Sequence, residues 1–154
     1  EKARYGFNYL NRATINYVGL GANVSAENHS FNAFEDSSGM ILDGGKANYS
    51  FELSPPPPVN AFWSVTLYDG ESFELYDNPL RRYLINDRTP GLKVEKDGSI
   101  KIVIAHRKVA GKATWLPAPD KPFFVVLRAY GPKPELLEGK WVPQAIKRME
   151  LPAD

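Results

Sequence analysis

Ala47-Asn48-Tyr49-Ser50-Phe51-Glu52-Leu53, then Ser54 and the four prolines Pro55 to Pro58, then Val59-Asn60-Ala61-Phe62-Trp63-Ser64-Val65-Thr66-Leu67-Tyr68-Asp69: this stretch decides the fold. Ala47, Tyr49, Phe51 and Leu53 alternate with Asn48, Ser50 and Glu52, the period of two that a half-buried strand requires. Ala61 to Asp69 alternates as well, with Ala61, Trp63, Val65 and Leu67 on one face and Phe62, Ser64, Thr66 and Tyr68 on the other. Between the two strands the prolines remove backbone donors and impose an extended, polyproline-like crossing. The run is short and lies inside a folded domain, so it reads as a connection and not as a signalling-domain ligand.

Downstream the same pattern recurs. Short strands are expected near Phe73 to Tyr76, Arg82 to Asn86 and Leu92 to Glu95, parted by Asp77-Asn78-Pro79 and Thr89-Pro90-Gly91. Asp97-Gly98 marks a hairpin. Ser99 to His106 alternates with Ile100, Ile102, Ile104 and His106 on one face, and Phe123 to Tyr130 is the last long strand. Trp115 to Pro119 is expected to be a rigid loop, because Pro117 and Pro119 do not suit a ladder. Pro134 to Glu138 reads as one helical turn closed by Gly139.

Upstream, Ala3, Phe7, Leu10, Thr14 and Tyr17 recur at spacings of four and three, which predicts a helix over residues 1–18 that docks on a sheet and stops at Gly19-Leu20-Gly21. Residues 19–154 are then expected to form a single antiparallel β-sandwich, jelly-roll-like, with a short helical turn near its C-terminal end. At 154 residues the chain is long enough to remove roughly 70% of its unfolded surface from water.

Composition excludes several functions. There is no cysteine, so disulfides, thiolate catalysis and cysteine-ligated zinc are absent. Lys and Arg total 19 against 18 for Asp and Glu, which leaves no excess charge for a nucleic-acid backbone. Apolar runs such as Phe123 to Leu127 are far too short to insert in a membrane as a helix. Glu1 in first place, instead of methionine, leads to the expectation that an upstream segment has been removed, either by processing or by truncation.

Several blocks in one order resemble a known family: Gly19-Leu20-Gly21-Ala22-Asn23, Pro57 to Asp69, Asp77-Asn78-Pro79, Arg82-Tyr83, Asp87-Arg88-Thr89-Pro90-Gly91-Leu92, Asp97-Gly98-Ser99, Trp115 to Pro119, Leu127 to Pro132 and Gly139-Lys140-Trp141. They resemble the domain of unknown function number 1214 of bacteria and viruses. The resemblance implies a β-sandwich in an exported, periplasmic or secreted protein, often placed after a partner domain of unknown function number 1254. It implies no catalytic residues. Thr114 stands where that family usually has asparagine before the tryptophan.

For chemistry the residues offer little. His29 and His106 are too few for a catalytic zinc, and His106 reads as a structural side chain. Asp36-Ser37-Ser38-Gly39 lacks the strand-to-helix setting of a nucleophile elbow, and Gly19-Leu20-Gly21 lacks the third glycine of a dinucleotide fingerprint. No cofactor is indicated. Asn23, Asn28 and Asn48 begin sequons of the kind that arise by chance.

Two readings remain. In the first, a non-enzymatic module binds a glycan or small polar ligand through Arg88, Trp115, Arg128 and Tyr130, or serves assembly through an upstream partner domain or as a homo-oligomer. In the second, Asp69 and Asp87 act as the carboxylates of a glycosidase or other hydrolase, although turn chemistry accounts for both. Arg128 interrupts an apolar strand on the face of Phe124, Val126 and Tyr130, and is expected to pair with a turn aspartate or to anchor an anion.

Overall fold

The computed structural model describes residues 23–149 apart from 110 and 112; the helix expected over residues 1–18 lies outside them. Among the described residues the strands are β1 (Asn28–Ala33), β2 (Asn48–Leu53), β3 (Val59–Asp69), β4 (Leu84–Asn86), β5 (Ile100–Ala105), β6 (Thr114–Pro117), β7 (Phe123–Pro132) and β8 (Lys147–Met149). One helical turn, α1 (Pro134–Leu137), follows β7, with Pro134 in its first turn and Gly139 at φ 73° beyond its end.

The chain is thus mainly β, in two four-stranded sheets. The first has the order β1-β7-β3-β4 and is antiparallel throughout. The second has the order β6-β5-β2-β8. Here the expectation of a purely antiparallel fold is corrected, since β5 and β6 pair in parallel, with Ile102 opposite Thr114 and Ala105 opposite Pro117. The proline run carries the chain from β2 in the second sheet to β3 in the first.

One apolar cluster joins the sheets. Tyr49, Phe51 and Leu53 of β2 and Ile100, Ile102 and Ile104 of β5 share it with Trp63, Val65 and Leu67 of β3 and Phe123, Val125 and Leu127 of β7. These are the alternating apolar positions of each strand, and their opposite-parity neighbours face away from the cluster. The two sheets therefore form the layers of one core.

Three local expectations are corrected. Trp115 to Pro117 belongs to a strand, because β6 lies at a sheet edge, where a residue without an N–H leaves no ladder partner unmatched. Phe73 to Tyr76 and Leu92 to Glu95 contribute isolated bridges, Tyr68 to Leu75 and Val94 to Ile100, instead of strands. Ala61 does not join the inward face of β3: the register shifts between Val59 and Phe62, and Ala61 is exposed there. Gly131 faces this irregularity at φ 61°, a conformation that glycine adopts without steric cost, and a Cβ on it would touch the Ala61 backbone nitrogen at 3.4 Å.

Tyr49 ties the second sheet to the loop before it. Its buried hydroxyl accepts the Asp43 N–H at 2.9 Å and lies 3.2 Å from the Asp43 carbonyl oxygen, to which it donates. Removing that oxygen leaves a buried amide unpaired. Tyr49→Phe is expected to lower stability by about 1–3 kcal/mol in urea unfolding with an unchanged m-value. A loss below about 0.5 kcal/mol would mean that the amide finds another partner.

Candidate functional site

The outer face of the first sheet carries most of the candidate ligand-binding residues, and its side chains Asn28, Ser64, Thr66, Phe124 and Val126 are buried. Directly paired residues of neighbouring antiparallel strands point to the same side, so the register of the first sheet sorts its outer face into rows. Asn28, Tyr130 and Phe62 form one row. Ser30, Arg128, Ser64 and Asn86 form the next, followed by Asn32, Val126, Thr66 and Leu84. Phe124 and Tyr68 close the series. None of these positions is Asp or Glu.

Aromatic contacts run along this face. Phe62 stacks on Tyr130 with centroids 4.3 Å apart, and Tyr68 stacks on Phe124 at 5.1 Å. Phe34 and Phe73 extend the second group against Phe124 at 5.0 and 5.5 Å. Phe73 adopts φ 62°, an uncommon conformation for a residue with a bulky side chain, in the turn that follows β3.

Two guanidinium groups lie on these rings. Arg128 Cζ is 5.5 Å from the Tyr68 centroid, and Arg88 Cζ is 5.6 Å from that of Phe62. A guanidinium over a ring keeps its edge N–H donors available to a ligand. The expected partner of Arg128 is therefore corrected: among the described residues it makes no ion pair, and its contact is the ring of Tyr68. Arg88 lies with Phe62 and Tyr130 in the first row, whereas the Arg128 guanidinium lies over Tyr68 in the last, so the three share the face without meeting.

The other candidates do not join them. Trp115 lies on β6 of the second sheet, where its indole N–H donates to the Ala105 carbonyl at 3.0 Å and its own carbonyl accepts from Arg82 at 3.1 Å. Its neighbour Thr114 is buried and accepts the Lys93 N–H at 3.1 Å, a bracing contact for the preceding loop. His106 Nδ1 lies 3.0 Å from the Ala118 carbonyl, so that nitrogen carries the proton and the ring is held in a structural role.

Asp69 is engaged in the turn that ends β3. Its Oδ1 accepts the N–H groups of Glu71 at 2.9 Å and Ser72 at 3.1 Å, and its Oδ2 lies 2.8 Å from Lys121 Nζ, which also reaches Glu71. The hydrogen bond from Lys121 is the main cause that brings its carboxyl down to about 2; burial opposes this, and the two backbone donors add to it. Asp87 is exposed and follows Asn86, which pairs with Ser64, while Asp69 lies five residues further along β3. At strand rise the two carboxylates are on the order of 17–20 Å apart, well beyond the roughly 5–9.5 Å of paired glycosidase carboxylates.

Sequence reasoning missed Asn28 and Ser30. The signal was present, since Asn28, Ser30 and Asn32 alternate with His29, Phe31 and Ala33 as β1 requires. A cavity of about 100 Å³ also opens beside Phe31, Ala33, Phe51, Val125, Leu127 and Ile146, away from the candidate residues. Among the described residues no cluster of three metal-ligating side chains occurs, and no helix is long and apolar enough to cross a membrane.

Against known proteins, a family model described as "Protein of unknown function (DUF1214)" matches residues 27–134. The crystal structure of the VPA0106 protein from Vibrio parahaemolyticus is similar with a TM-score of 0.76 and 30% identity, over 88% of this chain and 34% of that one. An uncharacterised protein from Burkholderia cenocepacia shares the fold with a TM-score of 0.59 and 14% identity, over 84% of this chain and 31% of that one. The chain therefore spans about a third of the length of these solved relatives. No curated protein matches the sequence.

The Asp69–Lys121 pair has a pH signature. Because the folded-state pKa of Asp69 lies below its ordinary 3.8, its stabilising contribution is present above about pH 4 and disappears as pH falls toward 2. Lys121→Met is expected to lower stability at pH 5 to 6, modestly because water screens the exposed lysine, and the difference from the parent chain should shrink as pH falls through about 2. Urea midpoints measured across that range check this, and a pH-independent difference would exclude the pair as its cause.

Proposed function

The chain belongs to the DUF1214 family of proteins of unknown function, and from that premise we propose that it is a non-enzymatic interaction module holding a small polar ligand, such as a glycan, on the outer face of its first sheet. One observation carries the reading: on the same sheet face Arg88 lies over Phe62 of the stacked Phe62–Tyr130 pair, and Arg128 lies over Tyr68 of the stacked Tyr68–Phe124 pair. Stacked rings offer an apolar platform to a ring-shaped ligand, and guanidinium edges offer directed donors around it. The serine hydroxyls of Ser30 and Ser64 stand in the row between them.

Within this reading the two layers are a β-sandwich with jelly-roll-like winding, and the module works beside other domains, as the greater length of its solved relatives suggests. Export and a preceding partner domain rest on the family resemblance alone. The hydrolase alternative draws no support from the carboxylates, one held by Lys121 and the other distant from it.

Self-assembly is favoured by a separate observation. Phe34 and Phe73 are 49% and 65% exposed at one end of the same face, and exposed aromatic side chains gathered in one place suit a second copy of the chain. Light scattering of the parent chain and of Phe73→Ser tests this: a dimer lost in the variant supports it, and a monomer at every concentration removes it.

The ligand reading is tested by a thermal-shift screen of mono- and oligosaccharides, followed by calorimetric titration of each hit. Arg128→Ala and Tyr130→Ala are expected to weaken binding at least tenfold, while Lys101→Ala on the other sheet leaves it unchanged. Hits that ignore both face variants, or a screen without hits, would remove the proposal.

A further inference from the structure

We infer that the open side of the sandwich, between β1 and the segment leading into β8, is a binding site for a primary amine carried on a short alkyl chain. The site lies apart from the outer face of the first sheet, and it stands independently of the ligand reading of that face.

Its base is apolar. The cavity of about 100 Å³ beside β1 is lined by Val125 and Leu127 of the first sheet, Phe51 of the second, and Ile146, all of them at most 4% exposed. Phe31 and Ala33, on the inward side of β1, form one wall. An apolar cavity of about 150 Å³ stays dry and takes up benzene, and on that scale the space here fits a chain of roughly four carbons. Left empty, it deprives its lining of contact partners, so a chain that fills it is favoured.

The rim is polar and anionic. Asn32, Glu35 and Gln144 also line the cavity and are exposed, which sets them at its mouth. No lysine or arginine lines it, and among the described residues Glu35 forms no ion pair. The next residue, Asp36, is 6% exposed, and its Oδ2 is buried without a hydrogen-bond partner. Arg148, whose charge acts on Asp36, donates to the Lys46 carbonyl at 3.1 Å instead. A carboxylate at the mouth of an apolar slot favours a cationic head over a neutral or anionic one.

The outer wall is not tied to either sheet. Among the described residues, 142–145 run past the cavity without a backbone hydrogen bond. Two anchors flank them. The Trp141 indole N–H donates to the Pro55 carbonyl at 3.0 Å while its ring meets Phe31 at 5.9 Å, and the Ile146 carbonyl accepts the Ser37 N–H at 2.7 Å. A strap pinned at its ends can move outward and admit a chain while both sheets stay paired.

Titration of the isotope-labelled full chain at pH 7, followed by nuclear magnetic resonance, tests this with n-butylamine, n-butanol and pentanoate, which share one alkyl tail. Butylamine is expected to bind about fivefold more tightly than the other two, with amide shifts concentrated at Ala33, Val125 and Ile146. From ethylamine to butylamine the affinity should rise about fourfold per methylene, and then level off once the cavity is full. Glu35→Gln, or added salt, should remove the advantage of the amine. Ala33→Leu fills the cavity and should abolish binding; Ala145→Leu does so from the strap if melting shows that the first variant is unfolded.

Equal affinities for the three probes, an amine advantage that persists in Glu35→Gln, or shifts scattered over the whole surface would overturn the inference. Binding that ignores the folded leucine variants, or no binding at millimolar probe, would overturn it as well. None of these outcomes touches the reading of the outer face, which is tested by its own variants.

Discussion

Everything on the outer face depends on the register between β3 and β7. From Phe62 opposite Tyr130 to Asp69 opposite Phe123 the two central strands of the first sheet pair without interruption. Their side chains alternate between a core face of Trp63, Val65, Leu67, Val125 and Leu127 and an outer face of aromatic, hydroxyl and arginine side chains. A slip of one residue would exchange the two sets, placing Arg128 in the core and Leu127 in water. The cost of that exchange holds the register, and the register in turn assembles the rows of Tyr130 with Phe62 and Arg128 with Ser64. The candidate site is in this sense a by-product of core packing.

The ends of these strands are held by close backbone approach and by Asp69. Gly70 follows Asp69 and donates its N–H to the Pro122 carbonyl at 2.9 Å. A Cβ there would come within 2.7 Å of the same oxygen, so the turn needs glycine. Lys121, one residue before Pro122, closes onto the Asp69 carboxylate from the other side. An aspartate that looked available for catalysis is consumed in fixing where β3 stops and β7 begins. The Tyr49 hydroxyl on Asp43 makes a comparable connection for the second sheet.

Some misreadings have clear physical causes. Pro117 and Pro119 argued for a loop around Trp115, but that rule applies to strands with a neighbour on both sides, and β6 has only β5 beside it. Arg128 was expected to pair with a turn aspartate because a buried charge needs compensation. In the folded chain it is half-buried and rests on Tyr68, and the nearest carboxylate on β3, Asp69, is bound to Lys121. β1 was overlooked although it alternates, since its outward residues are asparagine and serine, which otherwise signal turns.

By itself the sequence determined the mainly β character, the inward faces of β2, β3, β5 and β7, the helical turn after Pro134, and the absence of cysteine and of a recognisable catalytic set. Those properties are local: a period of two, a proline or a glycine acts on its own neighbours, and the spacing is visible along the chain. Only the tertiary structure decided that β1 lies beside β7, that β5 and β6 run parallel, that Asp69 and Asp87 are separated by most of a strand's length, and that Arg88 and Arg128 share a face with Asn28. Each of these joins residues distant in sequence through sheet order and register, which arise from how the apolar faces of all the strands bury one another, and no single segment encodes that.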